Sequence, residues 1–249
     1  LIMSNQSAKL ILVRHGESTY NALNQFTGAV DVSLTENGQQ QARQCSQLLQ
    51  DIRIDHIFHS KQQRAIDTCA LITHGLGISS APCSSDASLN ERDYGKLNGM
   101  NNTQASSQYG TEQVKTWRRS FGACPPEGES LEQTSLRAIR YYNQAIYPLL
   151  MQSKNTLVVA HGNSIRGLLF DLLNLTSDSI TQVEIGWCEP WIITFRQNHP
   201  CRLDILLRET TGKQSTIPES VLSIPVASHQ LHSREQENTQ ALEDLISYV

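Results

Sequence analysis

Near its start the chain reads Leu12-Val13-Arg14-His15-Gly16-Glu17-Ser18, and a later stretch, Val158-Val159-Ala160-His161-Gly162-Asn163-Ser164, follows the same pattern. In both stretches an apolar run of strand length ends directly at a His-Gly pair. The glycine lets the backbone turn and approach a ligand closely. Because ligands bind at the carboxyl ends of the strands in open α/β sheets, we expect the two histidines to meet across one pocket.

The rest of the chain alternates short apolar runs with helical patterns. This alternation predicts an α/β fold with a mostly parallel central sheet, helices on both faces and an active site at the C-terminal ends of the strands. Thr35 and Ser60 are predicted to cap helices that follow them. We expect strands at residues 9–13, 54–59, 157–160, 191–195 and 202–207, and helices near residues 35–49, 60–76, 129–151 and 164–173.

The length of 249 residues favours one domain, which we place at residues 9–208. Residues 89–128 interrupt the alternation with a polar, irregular stretch, and such an excursion is typical of a segment that builds a site. Residues 1–8 are expected to be a disordered N-terminus, in which Met3 is the natural start and the two residues before it are foreign to the protein. Residues 209–249 read as a polar C-terminal tail with a short amphipathic helix near its end.

Composition excludes several classes of protein. The chain has 20 basic and 24 acidic residues, a net charge of −4 and a hydrophobic fraction of 39%. A balanced charge gives no field for nucleic acid or an anionic membrane, and no apolar run approaches the ~20 residues of a membrane span. Six scattered cysteines and the lack of a signal-peptide pattern predict buried free thiols in a cytoplasmic protein. Composition leaves a homo-oligomer open.

Charged residues near the His-Gly pairs point to phosphate chemistry. Arginine binds a phosphate through two hydrogen bonds, which lysine cannot match. Arg14, Arg64 and the Arg118-Arg119 pair are therefore candidates to hold one. Glu91 is the one carboxylate expected among them. A histidine nucleophile, arginine clamps and one acid suit phosphoryl transfer, which depends on positioning and on neutralising the equatorial oxygens. Taken singly, each of these residues reads as a surface or turn residue.

Paired histidines also raise the alternative of a metal site. The sequence has no H-x-E or HExxH motif and no His/Cys cluster at the spacing of metal ligands. An arginine beside the histidines would also repel a cation. We therefore expect no catalytic metal.

Longer motifs resemble a known family. Residues 12–21, followed by Phe26-Thr27-Gly28 and by Leu34-Thr35-Glu36-Asn37-Gly38, resemble the opening motif of the histidine phosphatase superfamily. Leu89-Asn90-Glu91-Arg92-Asp93-Tyr94-Gly95 and Trp117-Arg118-Arg119 resemble its cofactor-dependent phosphoglycerate mutase branch, as does the stretch 160–167. The resemblance covers about residues 9–195.

The resemblance implies an activity and a role for each matching residue. His15 would become a phosphohistidine, and Glu91 would be the general acid/base for the substrate hydroxyl. The implied reaction interconverts 3-phosphoglycerate and 2-phosphoglycerate, a step of glycolysis and gluconeogenesis, and is primed by 2,3-bisphosphoglycerate without a metal. Arg14, Arg64 and His161 would hold the phosphoryl group, assisted by Asn21 and Gly162, and the rest of this small phosphorylated substrate would contact Ser18, Thr27, Gly28, Tyr94, Arg118, Arg119 and Asn163.

Departures from the branch keep a second enzyme class open. Asn102 stands where mutases usually have a substrate-contacting lysine, and the insertion common in mutases is missing between Pro126 and Glu129. The stretch Ile185-Gly186-Trp187-Cys188-Glu189-Pro190 also lacks the usual Pro-Thr-Gly. These features favour the alternative of a phosphatase that hydrolyses small phosphoesters through the same phosphohistidine. A binding module without catalysis is disfavoured, because none of the core catalytic residues is lost.

Overall fold

The computed structural model describes residues 7–208, 214–218 and 222–230. Within these residues there are seven strands, which are β1 (Ser7–Arg14), β2 (His56–His59), β3 (Cys83–Ser85), β4 (Thr156–Ala160), β5 (Trp191–Arg196), β6 (His199–Leu207) and β7 (Val226–Gln230). They form one sheet in the order β3-β2-β4-β1-β5-β6-β7. The first four strands of that order pair in parallel, whereas β5 is antiparallel to both β1 and β6.

Helices cover both faces of this sheet, as the alternation predicts. The helices are α1 (Thr19–Ala22), α2 (Glu36–Leu49), α3 (Gln63–Gly75), α4 (Asn102–Tyr109), α5 (Thr111–Arg119), α6 (Leu131–Tyr141), α7 (Tyr147–Met151), α8 (Gly162–Leu172) and α9 (Ser177–Ile180). Leu10 and Leu12 of β1 pack in the hydrophobic cluster on the α6–α8 side, whereas Ile11 and Val13 pack in the cluster on the α2–α3 side. This division follows from the two-residue period of a strand, which sends successive side chains to opposite faces.

The register of the two central strands brings the His-Gly pairs together. β1 and β4 run in parallel with Arg14 opposite Ala160, so that each strand ends one residue before its histidine. The amide of His15 continues the ladder by donating to the Ala160 carbonyl at 3.0 Å. The two histidines therefore leave the sheet side by side at its carboxyl edge.

The cap of α2 lies where the sequence predicts it, but other helix boundaries differ. The Thr35 hydroxyl accepts a hydrogen bond from the Gly38 amide at 3.0 Å. The helix predicted over 129–151 is instead α6, a π-helical turn at Tyr142–Ile146, and α7. Pro148 explains the break, because proline has no N–H to continue the i→i−4 ladder.

Ser60 does not cap the following helix. α3 begins at Gln63, with Gln62 as an N-cap that makes no side-chain capping bond. The Ser60 hydroxyl is used in the candidate site instead. The edge strand β3 is an addition to the strands expected from the sequence.

The polar excursion has its own small core. The excursion contains α4, α5 and a single 3-10 turn at Gly95–Leu97, and another 3-10 turn at Ala87–Leu89 leads into it. Leu97, Ala105, Val114 and Trp117 are buried against Phe26 of the opening motif. The excursion is therefore packed onto the loop after β1 and forms one wall above the strand ends.

The ends of the chain differ in part from expectation. β1 already starts at Ser7, and the segment predicted as a tail supplies β7, which pairs in parallel with β6. The Ser215 hydroxyl accepts from the Trp191 indole at 3.0 Å, which fastens this segment to the sheet. Residues 1–6 and the helix predicted at 235–249 lie outside the described residues.

Two further expectations concern the cysteines and the membrane. All six cysteines are free thiols, but Cys83 and Cys124 are exposed rather than buried. In the described part of the chain, no helix is both long enough and apolar enough to cross a bilayer.

Candidate active site

The two histidines form the centre of the candidate site. Their ring centroids lie 5.0 Å apart, and both side chains are buried. His15 Nδ1 lies 2.6 Å from the Gly16 carbonyl oxygen. Because a carbonyl only accepts, Nδ1 carries the proton and Nε2 keeps its lone pair. Burial, together with the Arg64 and Arg14 charges, holds the pKa of His15 well below its usual value, so the imidazole is neutral at pH 7.

His161 is held by the serine that sequence reasoning placed at a helix cap. The Ser60 hydroxyl lies 2.7 Å from His161 Nε2, and both groups are fully buried. Burial, Arg64 and His15 lower the pKa of His161 well below its usual value. α8 begins directly after His161, so its N-terminal amides and the positive end of its dipole lie beside the pair, where they favour an anion.

Arg14 adjoins the nucleophile on β1. Its Nη1 donates to the Ile185 carbonyl at 2.9 Å, and its guanidinium lies over the Trp187 ring at 5.4 Å from the centroid. Burial lowers the pKa of Arg14 to about 10, so it stays cationic at pH 7. Its Nε is buried and has no partner among the described residues.

Arg64 is wholly buried in the first turn of α3. It donates from Nη1 to the Val30 carbonyl at 2.9 Å and from Nη2 to the Gly28 carbonyl at 3.0 Å. Gly28 has a φ of +45°, and a Cβ there would overlap the Asn98 side chain, so the close turn requires glycine. Arg64 Nε, like Arg14 Nε, is buried without a partner among the described residues. Two buried cations with unused donors suit an anionic ligand.

Glu91 supplies a carboxylate beside this cationic group. Its Oε1 accepts from the Arg92 amide at 2.8 Å and from the Asn163 amide at 3.1 Å. Asn163 Nδ2 in turn donates to the Tyr94 hydroxyl at 3.1 Å. These contacts tie the excursion that carries Glu91 to the N-terminus of α8.

One cavity of about 480 Å³ collects most of the predicted site residues. Ser18 does not line it, because the Ser18 hydroxyl caps α1 and donates to Asn21 Oδ1 at 2.9 Å. His161 does not line it either but packs against the His15 ring. The predicted residues that line the cavity are Arg14, His15, Asn21, Thr27, Gly28, Arg64, Glu91, Tyr94, Arg118, Arg119, Gly162 and Asn163.

The rim of the cavity contains a second carboxylate that the sequence analysis did not expect. Glu184 Oε1 pairs with Arg119 Nη1 at 3.1 Å, and its Oε2 pairs with Arg166 Nη2 at 3.3 Å. Arg118 Nη1 instead donates to Asn102 Oδ1 at 3.2 Å. Five arginines and two glutamates line the cavity, so it carries a positive charge that suits a phosphoester with several negative charges.

Five residues near the site were missed from the sequence. Arg166 lies within the stretch 160–167 that resembles the mutase branch, and Trp187 lies in the stretch that departs from the mutase pattern, so both had a signal. Ser60, Gln62 and Glu184 had none, because their contacts come from segments far away in sequence. In the parts of the chain that the structure describes, no three His, Cys, Asp or Glu side chains are grouped closely enough to hold a metal ion.

Comparisons with known proteins show which family and fold the chain resembles. A model of the histidine phosphatase superfamily (branch 1) matches residues 10–204. The chain is 45% identical to 2,3-bisphosphoglycerate-dependent phosphoglycerate mutase 2 of Gloeobacter violaceus over 74% of its own length and 84% of the relative's. It is 42% identical to a phosphoglycerate mutase of Schizosaccharomyces pombe, covering 71% and 85% of the two chains. The solved structure of the alpha-ribazole phosphatase from Shigella flexneri shares the fold at 24% identity, with a TM-score of 0.67 over 77% of this chain and 92% of that one.

Proposed function

The chain belongs to the histidine phosphatase superfamily (branch 1), and on that premise we propose that it is a phosphoglycerate mutase that interconverts 3-phosphoglycerate and 2-phosphoglycerate. The observation that carries the proposal is the neutral His15 inside a cavity with buried arginines and one well-held carboxylate, Glu91. The sequence identity of 40–45% to relatives named 2,3-bisphosphoglycerate-dependent phosphoglycerate mutase supports this substrate class.

His15 is the nucleophile of the proposed reaction. Its Nδ1 proton is held by the Gly16 carbonyl, so the Nε2 lone pair attacks phosphorus and an N–P bond forms. The P–O bond to the donor breaks at the same time. Arg14 and Arg64 neutralise charge on the phosphoryl oxygens as it spreads in the transition state.

Glu91 moves the proton of this step. As the P–O bond breaks, the Glu91 carboxyl donates its proton to the leaving oxygen, and in the return step the carboxylate takes the proton of the attacking hydroxyl. The two backbone amides on its Oε1 fix its place beside the cavity. A loaded His15 passes its phosphoryl group to the 2-hydroxyl of 3-phosphoglycerate, which gives 2,3-bisphosphoglycerate. It then takes the phosphoryl group from position 3, so that 2-phosphoglycerate leaves and His15 is loaded again.

The primer in this proposal is 2,3-bisphosphoglycerate, which would load His15 with its first phosphoryl group. Its second phosphate and its carboxylate need further cations, and Arg118, Arg119 and Arg166 line the same cavity as His15. Water must be kept from the loaded histidine, or the phosphoryl group is lost as free phosphate. We place this activity in the cytoplasm.

One feature favours a phosphatase as the second candidate. Asn102 lines the cavity at the place of the usual lysine, and its side-chain oxygen accepts from Arg118 rather than offering a cation to the substrate. A substrate held by one cation fewer is released more readily, which gives water time to reach the phosphohistidine.

Phosphorus NMR of the protein with 3-phosphoglycerate separates the two functions. We expect 2-phosphoglycerate to form only when a trace of 2,3-bisphosphoglycerate is added, and no product to form with His15→Ala. Free phosphate without the isomer would instead establish the phosphatase. Acid-labile, alkali-stable phosphate on the wild-type chain is expected with either function.

A further inference from the structure

The backbone N–H and the backbone carbonyl of Glu91 are both hydrogen-bonded by side chains that have no part in the reaction described above. Its N–H donates to Gln62 Oε1 at 2.8 Å, and its carbonyl accepts from Arg137 Nη2 at 3.0 Å. Gln62 is buried just before α3, and Arg137 lies on α6. The backbone on which the acid/base carboxylate stands is thus fixed by two different elements.

Arg137 holds more than one carbonyl of this segment. Its Nη1 donates to the Ser88 carbonyl at 2.8 Å and to the Asn90 carbonyl at 2.9 Å. Three carbonyls within four residues of one another therefore converge on one guanidinium. A lysine could not reproduce this, because its ammonium is a single point whereas the guanidinium is a planar fork.

Glu129 holds the guanidinium in turn. Arg137 Nε donates to Glu129 Oε1 and Arg137 Nη2 to Glu129 Oε2, both at 2.9 Å. Burial raises the pKa of Glu129, but the hydrogen bonds from Arg137 and from the Asp93 amide outweigh it and bring the pKa below its usual value. The pair is bidentate and charged at neutral pH, the geometry in which an arginine is held most firmly.

Arg137 does not meet the substrate cavity. Arg137 and Glu129 line a neighbouring cavity of about 420 Å³, which shares Glu91 with the substrate cavity. Arg137 therefore has no contact with a substrate in that cavity, and its hydrogen bond to the Glu91 carbonyl is its direct link to the acid/base residue.

We propose that Arg137, locked by Glu129, and Gln62 are positioning residues that hold Glu91 where its carboxyl can transfer a proton to or from the substrate oxygen. The proposal rests on the acid/base role of Glu91 in the proposed function. General acid catalysis contributes about 10²–10⁴-fold, and a shift of about 1 Å in a reacting group costs about 10²-fold. Proton transfer is thus the step that a loosened Glu91 would lose.

The test compares phosphate donors according to whether their leaving group needs a proton. We would measure single-turnover phosphorylation of His15 by two alkyl esters, 2,3-bisphosphoglycerate and glycerol phosphate, and by p-nitrophenyl phosphate. An alkoxide leaves only when it is protonated, whereas p-nitrophenolate leaves without help. For Arg137→Gln we expect loading by the alkyl esters to fall about 10²-fold and loading by the aryl ester to change less than about 3-fold.

Two variants bracket this result. Arg140→Gln removes an exposed arginine from the same helix and should leave all three rates unchanged. Glu91→Gln removes the proton donor itself. The difference between its loss of loading rate with the alkyl esters and its loss with the aryl ester is the largest that a displaced Glu91 can produce. Vanadate affinity, which depends on the arginines around His15, should be the same in Arg137→Gln and in the wild type.

The outcomes separate the positioning role from the proposed function. Equal losses with the alkyl and aryl esters, or no loss with either, would overturn the positioning role. A wild-type chain loaded by glycerol phosphate but not by 2,3-bisphosphoglycerate would overturn the mutase alone, and the positioning role would then be judged on glycerol phosphate. A wild-type chain loaded by none of the three would overturn both.

Discussion

Replacing Ser60 with alanine tests how the second histidine works. Ser60 Oγ accepts from the Gln62 amide at 3.3 Å and lies 2.7 Å from His161 Nε2, to which we expect its hydroxyl to donate. The lowered pKa of His161 makes the ring neutral, with one N–H. If Ser60 donates to Nε2, that N–H lies on Nδ1, which has no partner among the described residues. We then expect His161, whose ring packs against that of His15, to donate this N–H to a phosphoryl group carried on His15.

The contact gives two magnitudes for Ser60→Ala. The variant leaves a fully buried ring nitrogen without a partner, which costs about 1–3 kcal/mol of unfolding free energy. It also removes the preference for one tautomer, and losing about 1.4 kcal/mol of that preference corresponds to a tenfold slower loading of His15. We expect both losses together.

Urea unfolding, single-turnover loading of His15 and the imidazole ¹⁵N shifts of His161 measure these effects. Ser46→Ala is the matched control, because Ser46 is also buried but its hydroxyl donates locally to the Arg43 carbonyl at 2.6 Å on α2. Unchanged ¹⁵N shifts and an unchanged loading rate in Ser60→Ala would refute the tautomer argument, even if the variant were less stable.

Three further predictions follow from the charges of the site. Burial and the nearby charges lower the pKa values of His15 and His161, so the unfolded chain binds protons below about pH 6.5 that the native protein does not. The unfolding free energy should therefore fall as the pH drops below about 6.5. In urea titrations at several pH values, the unfolding free energy of His15→Gln should fall less steeply with pH in this range than that of the wild type. Arg118→Ala should raise KM for phosphoglycerate about tenfold with little change in kcat, because Arg118 lies on the rim, and steady-state kinetics with an equal fall in kcat would contradict this. Asn102→Lys should raise the ratio of isomer to free phosphate in phosphorus NMR by restoring a cation. An unchanged ratio would show that residue 102 does not control the access of water to the phosphohistidine.

The excursion shows how far sequence reasoning reached. Its polar composition predicted a segment that builds a site, and Glu91, Tyr94 and Arg118 do line the cavity. Its internal helices and its small core around Trp117 were not predicted, because their apolar positions are few and the core is completed by Phe26 of another segment. Short elements of this kind are stabilised by tertiary packing rather than by their own periodicity.

One prediction of a helix boundary was wrong for a similar reason. Serine before a helical pattern predicts a cap, and Thr35 behaves in this way. Ser60 does not cap its helix, because its hydroxyl forms a hydrogen bond with the buried Nε2 of His161, the residue that follows β4. No local pattern records that competition, since the two residues are 101 positions apart.

The sequence by itself determined the two strand ends with their histidines, the α/β architecture and the phosphate chemistry, because these follow from apolar periodicity and from residues adjacent in the chain. Only the tertiary structure decided which side chains hold these groups in place. Ser60 on His161, Arg137 on Glu91 and Glu184 between two arginines are contacts between distant segments. Such contacts depend on strand register and helix packing, which bring side chains within hydrogen-bonding distance without leaving any spacing in the sequence.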